Sequence, residues 1–368
     1  MTERERFRRL FQGEPIDRLP VYFFGTWPET RQRWAREGLD IDPVPEYGPQ
    51  LEGMDTDWET GLWDCHGLVN VHPCYGGSRV VEETEDSIVT AFDAGLTVQH
   101  GKRGSSIDHV VEYALKPTRE SWERFKAVCL NTDDPARYAA GWREKARQLA
   151  GRTRVAALLG GSLYGWLRDW MGVEEISCLM YEDRVLLREM VEYVVEHVIR
   201  LLGPVAKLAD FDFVYIWEDC CGANGPLFSP AMYRDVFMEP CKRLIRFYKE
   251  ICGIPLVLVD SDGVADALVP GWLESGVDIL FPIEVGKWQG SPQKLREQFG
   301  YDFGMMGGVD KHLLTAEEGV LRAHLESLVP AVKAGRYLPV PDHRIPPEVS
   351  LEDFRRYIRL FGEVFNRS

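Results

Sequence analysis

No C-x-x-C pair occurs among the eight cysteines, which stand at 65, 74, 129, 178, 220, 221, 241 and 252. That absence removes paired-cysteine redox motifs and zinc knuckles, and scattered thiols of this kind read as reduced and mostly buried. Nor is there an apolar run as long as a membrane span or a signal core. Mixed Glu and Arg in Met1–Phe11 do not make a transit peptide, so the cytoplasm is the expected compartment. Basic residues are in deficit: 43 Lys and Arg against 58 Asp and Glu leave a formal charge of −15. Nucleic-acid binding rests on clustered cations, so a nucleic acid is not expected as a partner, and neither is a membrane. Repeats, low-complexity stretches and linkers are also missing. The 368 residues therefore read as one domain, 1–368, of the size of a single large α/β barrel.

What is present is a rhythm. Residues 18–26 read as a first strand, and residues 76–116 alternate polar and β-branched residues as a small antiparallel excursion would. From residue 150 onward apolar runs at 155–160, 211–217, 254–259, 277–283, 303–307 and 337–340 alternate with helical patterns. Ser229-Pro230 opens one of those helices with a capping residue and a proline at the first position. Strand-helix alternation with short turns implies parallel pairing with crossover helices. The expected fold is a single (β/α)8 TIM barrel with an N-terminal helical and antiparallel insertion region, about 40–116, over the barrel mouth.

In such a barrel the chemistry sits where strands end, and here strands end in polar groups. The run Ile254–Val259 stops at Asp260-Ser261-Asp262-Gly263. Residues two apart on a strand face the same way, so the two carboxylates converge if the strand geometry continues. Glu284 follows the run 277–283, His343 follows 337–340, and Glu218 follows Tyr215-Ile216-Trp217. The plainer alternative is that each carboxylate caps the next helix, and it fits Asp310 before Lys-His-Leu-Leu best. Cys65, His66, His72 and Cys74 offer four soft ligands within ten residues, but their spacing matches no standard metal site. A solvated loop is the plain reading of His66 and His72.

Several segments together resemble the uroporphyrinogen decarboxylase superfamily. They are Arg4–Phe7 with Asp17–Val21, Phe228–Pro240, Gly276–Leu280 and Gly307–Asp310. The resemblance spans nearly the whole chain and implies a TIM barrel, an enzyme and often a homodimer. Two departures separate the branches of that superfamily. True decarboxylases place an arginine-rich stretch after the first strand to bind the acidic tetrapyrrole. This chain has Phe23-Phe-Gly-Thr-Trp-Pro-Glu-Thr30 there, with the next arginine at Arg31. Zinc-dependent methyltransferases carry His-x-Cys where this chain has Asp260-Ser-Asp262, and a late Cys near the place of His343. Glu284 matches the location of a Glu in the related cobalamin-independent methionine synthases.

The resemblance thus implies a methyltransferase-like enzyme with a divalent metal, zinc among the candidates, on Asp260, Asp262, Glu284 and His343. Carboxylates with one imidazole also suit manganese, iron or magnesium. A methyl group would pass from a small methoxy or methylamine-type donor to a corrinoid. The chain has no Asp-x-His-x-x-Gly signature, so the corrinoid would arrive on a partner protein. Glu218, His343 and Asp260 are the candidate acid–base groups. Trp27, Tyr164 and Trp217 are the candidate aromatic wall, and Arg31 the candidate substrate-binding cation. The rival readings are a metal-free carboxy-lyase of porphyrin biosynthesis, with Arg31, Arg33 or Arg36 as cations, and a non-catalytic small-molecule-binding barrel.

Overall fold

The computed structural model describes residues 1–40, 58–59, 68–102 and 108–366, and of residues 58–59 only the backbone. Eight of its strands run parallel in chain order. They are β1 (Tyr22–Phe23), β2 (Trp58–Glu59), β7 (Ala157–Leu159), β8 (Phe213–Trp217), β11 (Leu256–Asp260), β12 (Ile279–Ile283), β13 (Gly304–Val309) and β14 (Tyr337–Pro341). The last six form one sheet in the order β14-β13-β12-β11-β8-β7. β1 pairs with β2 alone, Tyr22 opposite Trp58. A parallel bridge between Thr26 and Ile345 joins the two groups just beyond β1 and β14. There Ile345 N–H donates to Gly25 O at 2.9 Å, and the Thr30 hydroxyl donates to Ile345 O at 2.7 Å. Among the described residues no ladder links β2 to β7, so the sheet stays open at that seam. The expected α/β architecture with parallel strands is present, while closure into a barrel is not.

β11, β12, β13 and β14 are buried along their whole length. Strands covered on both faces need no polar alternation, which is why they appear in the sequence as unbroken apolar runs. The first strand is shorter than the expected 18–26. The helix after β11 starts only at Val269, and Gly263, with a φ of +85°, takes a turn that no right-handed helix contains. Ser229 caps the helix opened by Pro230, its hydroxyl accepting from Met232 N–H at 3.1 Å, as the Ser-Pro pair suggests.

The excursion at 76–116 is a four-stranded antiparallel meander of β3 (Ser78–Glu83), β4 (Ser87–Phe92), β5 (Thr97–Gly101) and β6 (His109–Glu112). β3 is exposed along its length. The meander is anchored at its base by Leu115 N–H donating to Trp170 O at 3.2 Å. A short hairpin of β9 (Cys221–Gly222) and β10 (Gly225–Pro226) follows β8.

At the opposite end of the sheet, the helix Glu3–Gln12 lies across the strand beginnings. Phe7 stacks on Phe213 at 5.1 Å, and Phe11 packs so close to Gly304 that a Cβ there would sit 2.6 Å from its ring. The wholly buried Asp212, just before β8, is gripped by three arginines. Arg4 Nε lies 2.7 Å away, Arg8 Nε 2.5 Å and Arg152 Nη2 2.5 Å. It also accepts Ala156 N–H at 2.9 Å.

Candidate functional site

Asp260 is the last residue of β11 and is 2 % exposed. Burial pushes its carboxyl well above the ordinary aspartate range; the charges of Asp262 and Glu284 push the same way, and Arg344 opposes them. A carboxylic acid kept neutral by its surroundings, beside carboxylates that are less buried, is a proton donor in waiting.

Asp262 extends past the strand, with Oδ2 3.3 Å from His343 Nε2. Its Oδ1 is buried and without a hydrogen-bond partner. The residue caps nothing: the next helix begins seven residues on. Glu284, one residue beyond β12, accepts the N–H of Gly263 on Oε2 at 2.7 Å, and its Oε1 lies 3.7 Å from the Lys311 ammonium. Burial raises its pKa, aided by Asp262 and opposed by that N–H, by Lys311 and by His343. Gly263 can present its N–H because it turns there with positive φ, and a Cβ would lie 2.8 Å from Gly222 O. No other residue type fits this turn.

His343 stands edge-on to Phe24, ring centres 5.0 Å apart, and 6.5 Å from Trp27. Arg344 lies over the other ring of this wall, 5.7 Å from the centre of Trp27. Behind them the buried Asp342 accepts the N–H groups of Val285 at 3.0 Å and Lys311 at 3.1 Å. One carboxylate thereby fixes the loops that carry Glu284 and Lys311. Across the rim, Arg168 donates to Asp219 Oδ2 at 2.8 Å and lies 5.2 Å from the centre of the Trp217 ring. Asp219 holds a φ of +36°, a strained value for a residue with a side chain.

Of the residues singled out in the sequence, Asp260, Asp262, Glu284 and His343 lie together, with Trp27 beside them. Trp217 lines the rim under Arg168. Glu218 is placed differently. Its carboxylate accepts the N–H groups of Leu163 at 2.9 Å and Tyr164 at 2.8 Å, with Gly165 N–H and the Ser162 hydroxyl each at 3.3 Å. It therefore caps the helix Tyr164–Met171, a duty that fills its lone pairs and turns it away from the rim. Gly165 allows the approach, since a Cβ would meet Glu218 O at 2.7 Å. Tyr164 is 1 % exposed and packs on Phe228 at 4.8 Å, so it belongs to the core and not to an aromatic wall. Arg31 is buried on the inner side of the helix Pro28–Arg36 with Thr30 and Trp34. Arg33 is spent on Glu37 and on the carbonyls of Pro347 and Glu348. Asp310 is the cap its position suggests, accepting His312 N–H at 2.9 Å. His72 lies 5.1 Å from the Trp166 ring, whereas Cys65 and His66 fall outside the described residues. Cys220 and Cys221 bring their sulfurs to 3.9 Å, but burial drives the Cys220 thiol pKa well up, away from nucleophilic thiolate.

Sequence reasoning missed Arg168, Lys311 and Arg344, and placed Asp342 at a strand end without giving it a role of its own. Lys311 had a usable signal, a cation directly after the strand-ending Gly307-Gly-Val-Asp310.

A divalent metal on Asp260, Asp262, Glu284 and His343 does not fit this arrangement. Among the described residues no three His, Cys, Asp or Glu side chains converge as ligands of one ion. Asp262 and His343 approach each other at 3.3 Å. Glu284 is committed to an N–H and faces an ammonium that already supplies a positive charge. The site as folded is a carboxyl–carboxylate–imidazole cluster offset by Lys311 and Arg344.

The profile of the uroporphyrinogen decarboxylase family (URO-D) matches residues 141–364. The chain belongs to that family. The matched stretch contains every strand from β7 to β14 and all the cluster residues. No curated protein matches the chain in sequence. Among solved structures the family member resembles a methyltransferase from Methanosarcina mazei, at 15 % identity, with 99 % of each chain covered and a TM-score of 0.56. A B12-independent methionine synthase from Shewanella sp. W3-18-1, in complex with selenomethionine, matches at 11 % identity over 94 % of this chain and 96 % of its own, with a TM-score of 0.42. At such identity the first likeness concerns the fold. Among the described residues no helix is long and apolar enough to cross a membrane.

Proposed function

We propose that the chain is a methyltransferase of the uroporphyrinogen decarboxylase superfamily. It acts as one (β/α)8 domain on a small methoxy or methylamine-type donor, with a corrinoid on a partner protein as acceptor. The observation that carries this reading is Asp260, a carboxyl buried at a strand end, where burial raises its pKa well above the ordinary aspartate range, and flanked by the Asp262–His343 pair. In the reaction the donor's methyl carbon leaves its oxygen or nitrogen for the reduced corrinoid. The bonding pair stays on the heteroatom, and Asp260 gives it a proton, so that an alcohol or amine departs. Asp262 and His343 orient the donor, and Trp27 and Trp217 flank it with flat apolar surface. Lys311 opposes the burial that raises the Glu284 pKa and holds that carboxyl in place.

Arginine placement supports this branch over carboxy-lyase chemistry. Arg31 is buried on its helix and Arg33 is occupied, so of the three candidate cations only Arg36 is exposed, and a polycarboxylate needs several bidentate forks. Anaerobic mixing with free cob(I)alamin and a panel of aryl methyl ethers and methylamines tests the proposal. At least one donor is expected to yield methylcobalamin, absent with heat-inactivated protein. Uroporphyrinogen is expected to release no carbon dioxide above that control. Carbon dioxide release without methylcobalamin would move the assignment to the carboxy-lyase branch.

Glu218 makes a separate prediction. Glu218→Gln turns an amide toward backbone N–H groups that need an acceptor. It is expected to cost about 1–3 kcal/mol of stability, read from the urea midpoint.

A further inference from the structure

The turn that follows β8 is joined step by step to the turn that follows β11, which carries Asp262. The N–H groups of Glu218 and Asp219 both donate to Asp260 O, at 2.8 and 3.1 Å. Cys220 N–H donates to the Ser261 hydroxyl at 3.0 Å, and Val264 N–H donates back to Gly222 O at 3.1 Å. On its other side the β11 turn is held by β12, through Ser261 N–H to Phe281 O at 2.9 Å and Gly263 N–H to Glu284 at 2.7 Å. Asp262 stands in the middle of this stretch, close to Asp219. Burial raises the Asp219 pKa and Arg168 lowers it, while Asp262 acts both ways, its carboxylate raising it and its N–H lowering it. The path of the β8 turn therefore sets the backbone under Asp262.

One side chain grips that turn from outside. Arg168 Nη1 donates both to the Asp219 carbonyl, at 2.6 Å, and to Asp219 Oδ2, at 2.8 Å. A single nitrogen thus holds the main chain and the side chain of one residue, and that residue is the one with a φ of +36°. Backbone outliers of this kind persist only where their surroundings over-determine them, and they cluster at functional sites. The arginine is placed by its helix, Tyr164–Met171. Gly165 lets the first turn lie against the carbonyls of Trp217 and Glu218, where a Cβ would meet them at 2.9 and 2.7 Å. Arg168, about one turn later, then reaches just past them to Asp219.

We propose that Arg168 and Asp219 are positioning residues for the Asp262–His343 pair. Arg168 holds the β8 turn in its strained path, and the backbone bonds between the two turns carry that path to the β11 turn. Asp262 is thereby aimed at His343 Nε2, 3.3 Å away. The kinetic consequence rests on the donor-orienting role proposed for Asp262 and His343; the geometric one does not. A plain structural tie between helix and sheet would affect stability and leave His343 unchanged.

Two readouts on the whole protein test this without turnover: ring resonances of isotope-labelled histidine and amide hydrogen exchange of residues 261–264. The chain has eight histidines, and His343→Ala identifies the signal that matters. Asp219→Gly keeps the positive φ accessible while removing the carboxylate. It and Arg168→Met are each expected to move the His343 resonances. Both should speed exchange at 261–264 about two- to tenfold, the local protection of one hydrogen bond, with β13 unaffected. Asp219→Asn tolerates positive φ and keeps an acceptor, so it is expected to restore most of the native pattern. Asp169→Asn removes the other carboxylate that Arg168 holds, at 3.1 Å, and is expected to leave both readouts native. Where a donor is turned over, Asp219→Gly should lower kcat about tenfold or more. Native His343 resonances and native 261–264 exchange in both Asp219→Gly and Arg168→Met would overturn the proposal. So would a uniform rise in exchange along the chain, or a native kcat beside a loosened turn. If no donor is turned over at all, the proposed reaction fails, and the resonances and exchange still decide the positioning.

Discussion

Asp260→Asn protein is expected to lose roughly 10²- to 10⁴-fold in methyl transfer, the usual contribution of a positioned acid. It is also expected to gain stability at neutral pH. The sign follows from the native carboxyl, whose pKa lies well above the 3.8 of an unperturbed aspartate because burial disfavours its charged form. A group raised on folding contributes stability that is complete below the unfolded value and lost as pH rises through the folded one. The native protein thus sheds stability between about pH 4 and neutrality, whereas the neutral asparagine does not. Urea midpoints of the two proteins should converge toward pH 4 and separate above it, with the variant higher. Equal midpoints across that range would remove the raised pKa, and with it the acid role. An active, equally stable variant would shift the proton to His343.

Asp212→Ala is expected to be the most damaging single change away from the rim. Three guanidinium groups converge on this fully buried carboxylate; its removal leaves Arg152 with no other ion-pair partner among the described residues and Arg4 and Arg8 with Asp210 alone. Breaking a buried pair from one side costs about 3–5 kcal/mol, mostly the penalty of the uncompensated partner. The loss should appear as a lower urea midpoint with the N-terminal helix released first, detectable as early cleavage near Arg4 and Arg8 under limited proteolysis. Since Asp212 lies at the far end of the sheet from Asp260, protein that is still folded should keep its activity. A midpoint within error of the native value would mean that water replaces the carboxylate, and the bottom clamp would not be a source of stability.

The sequence carried the strand ends well and the side-chain company poorly. Ile254–Val259 is so evenly apolar that both faces had to be covered, and Asp260 then marks the place where cover stops. Proximity of Asp260, Asp262, Glu284 and His343 follows from parallel strands ending at one level, so the pattern alone put them together. Glu218 shows where such reading fails. It has the same sequence position as Glu284, directly after a strand. Yet its partners are the backbone N–H groups of residues 163–165, more than fifty positions earlier, and no local pattern reveals them. Tyr164 turns inward because the cap fixes the first turn of its helix, again a consequence of a distant residue. Ligand spacing on a metal was the least legible quantity. Residue types name the donors, but the loops that carry them decide whether they converge, and here Lys311 faces Glu284.

The helix Glu3–Gln12 has a kinetic meaning as well. With Phe7 and Phe11 stopping one end of the strand layer, reactants and products exchange at the rim. A corrinoid protein docked on that rim would stand in the path of the departing alcohol or amine. Donor and acceptor should therefore interfere at high concentration, each inhibiting competitively against the other. Turnover would then be set by how quickly the rim clears, and the chemical step would be the faster of the two.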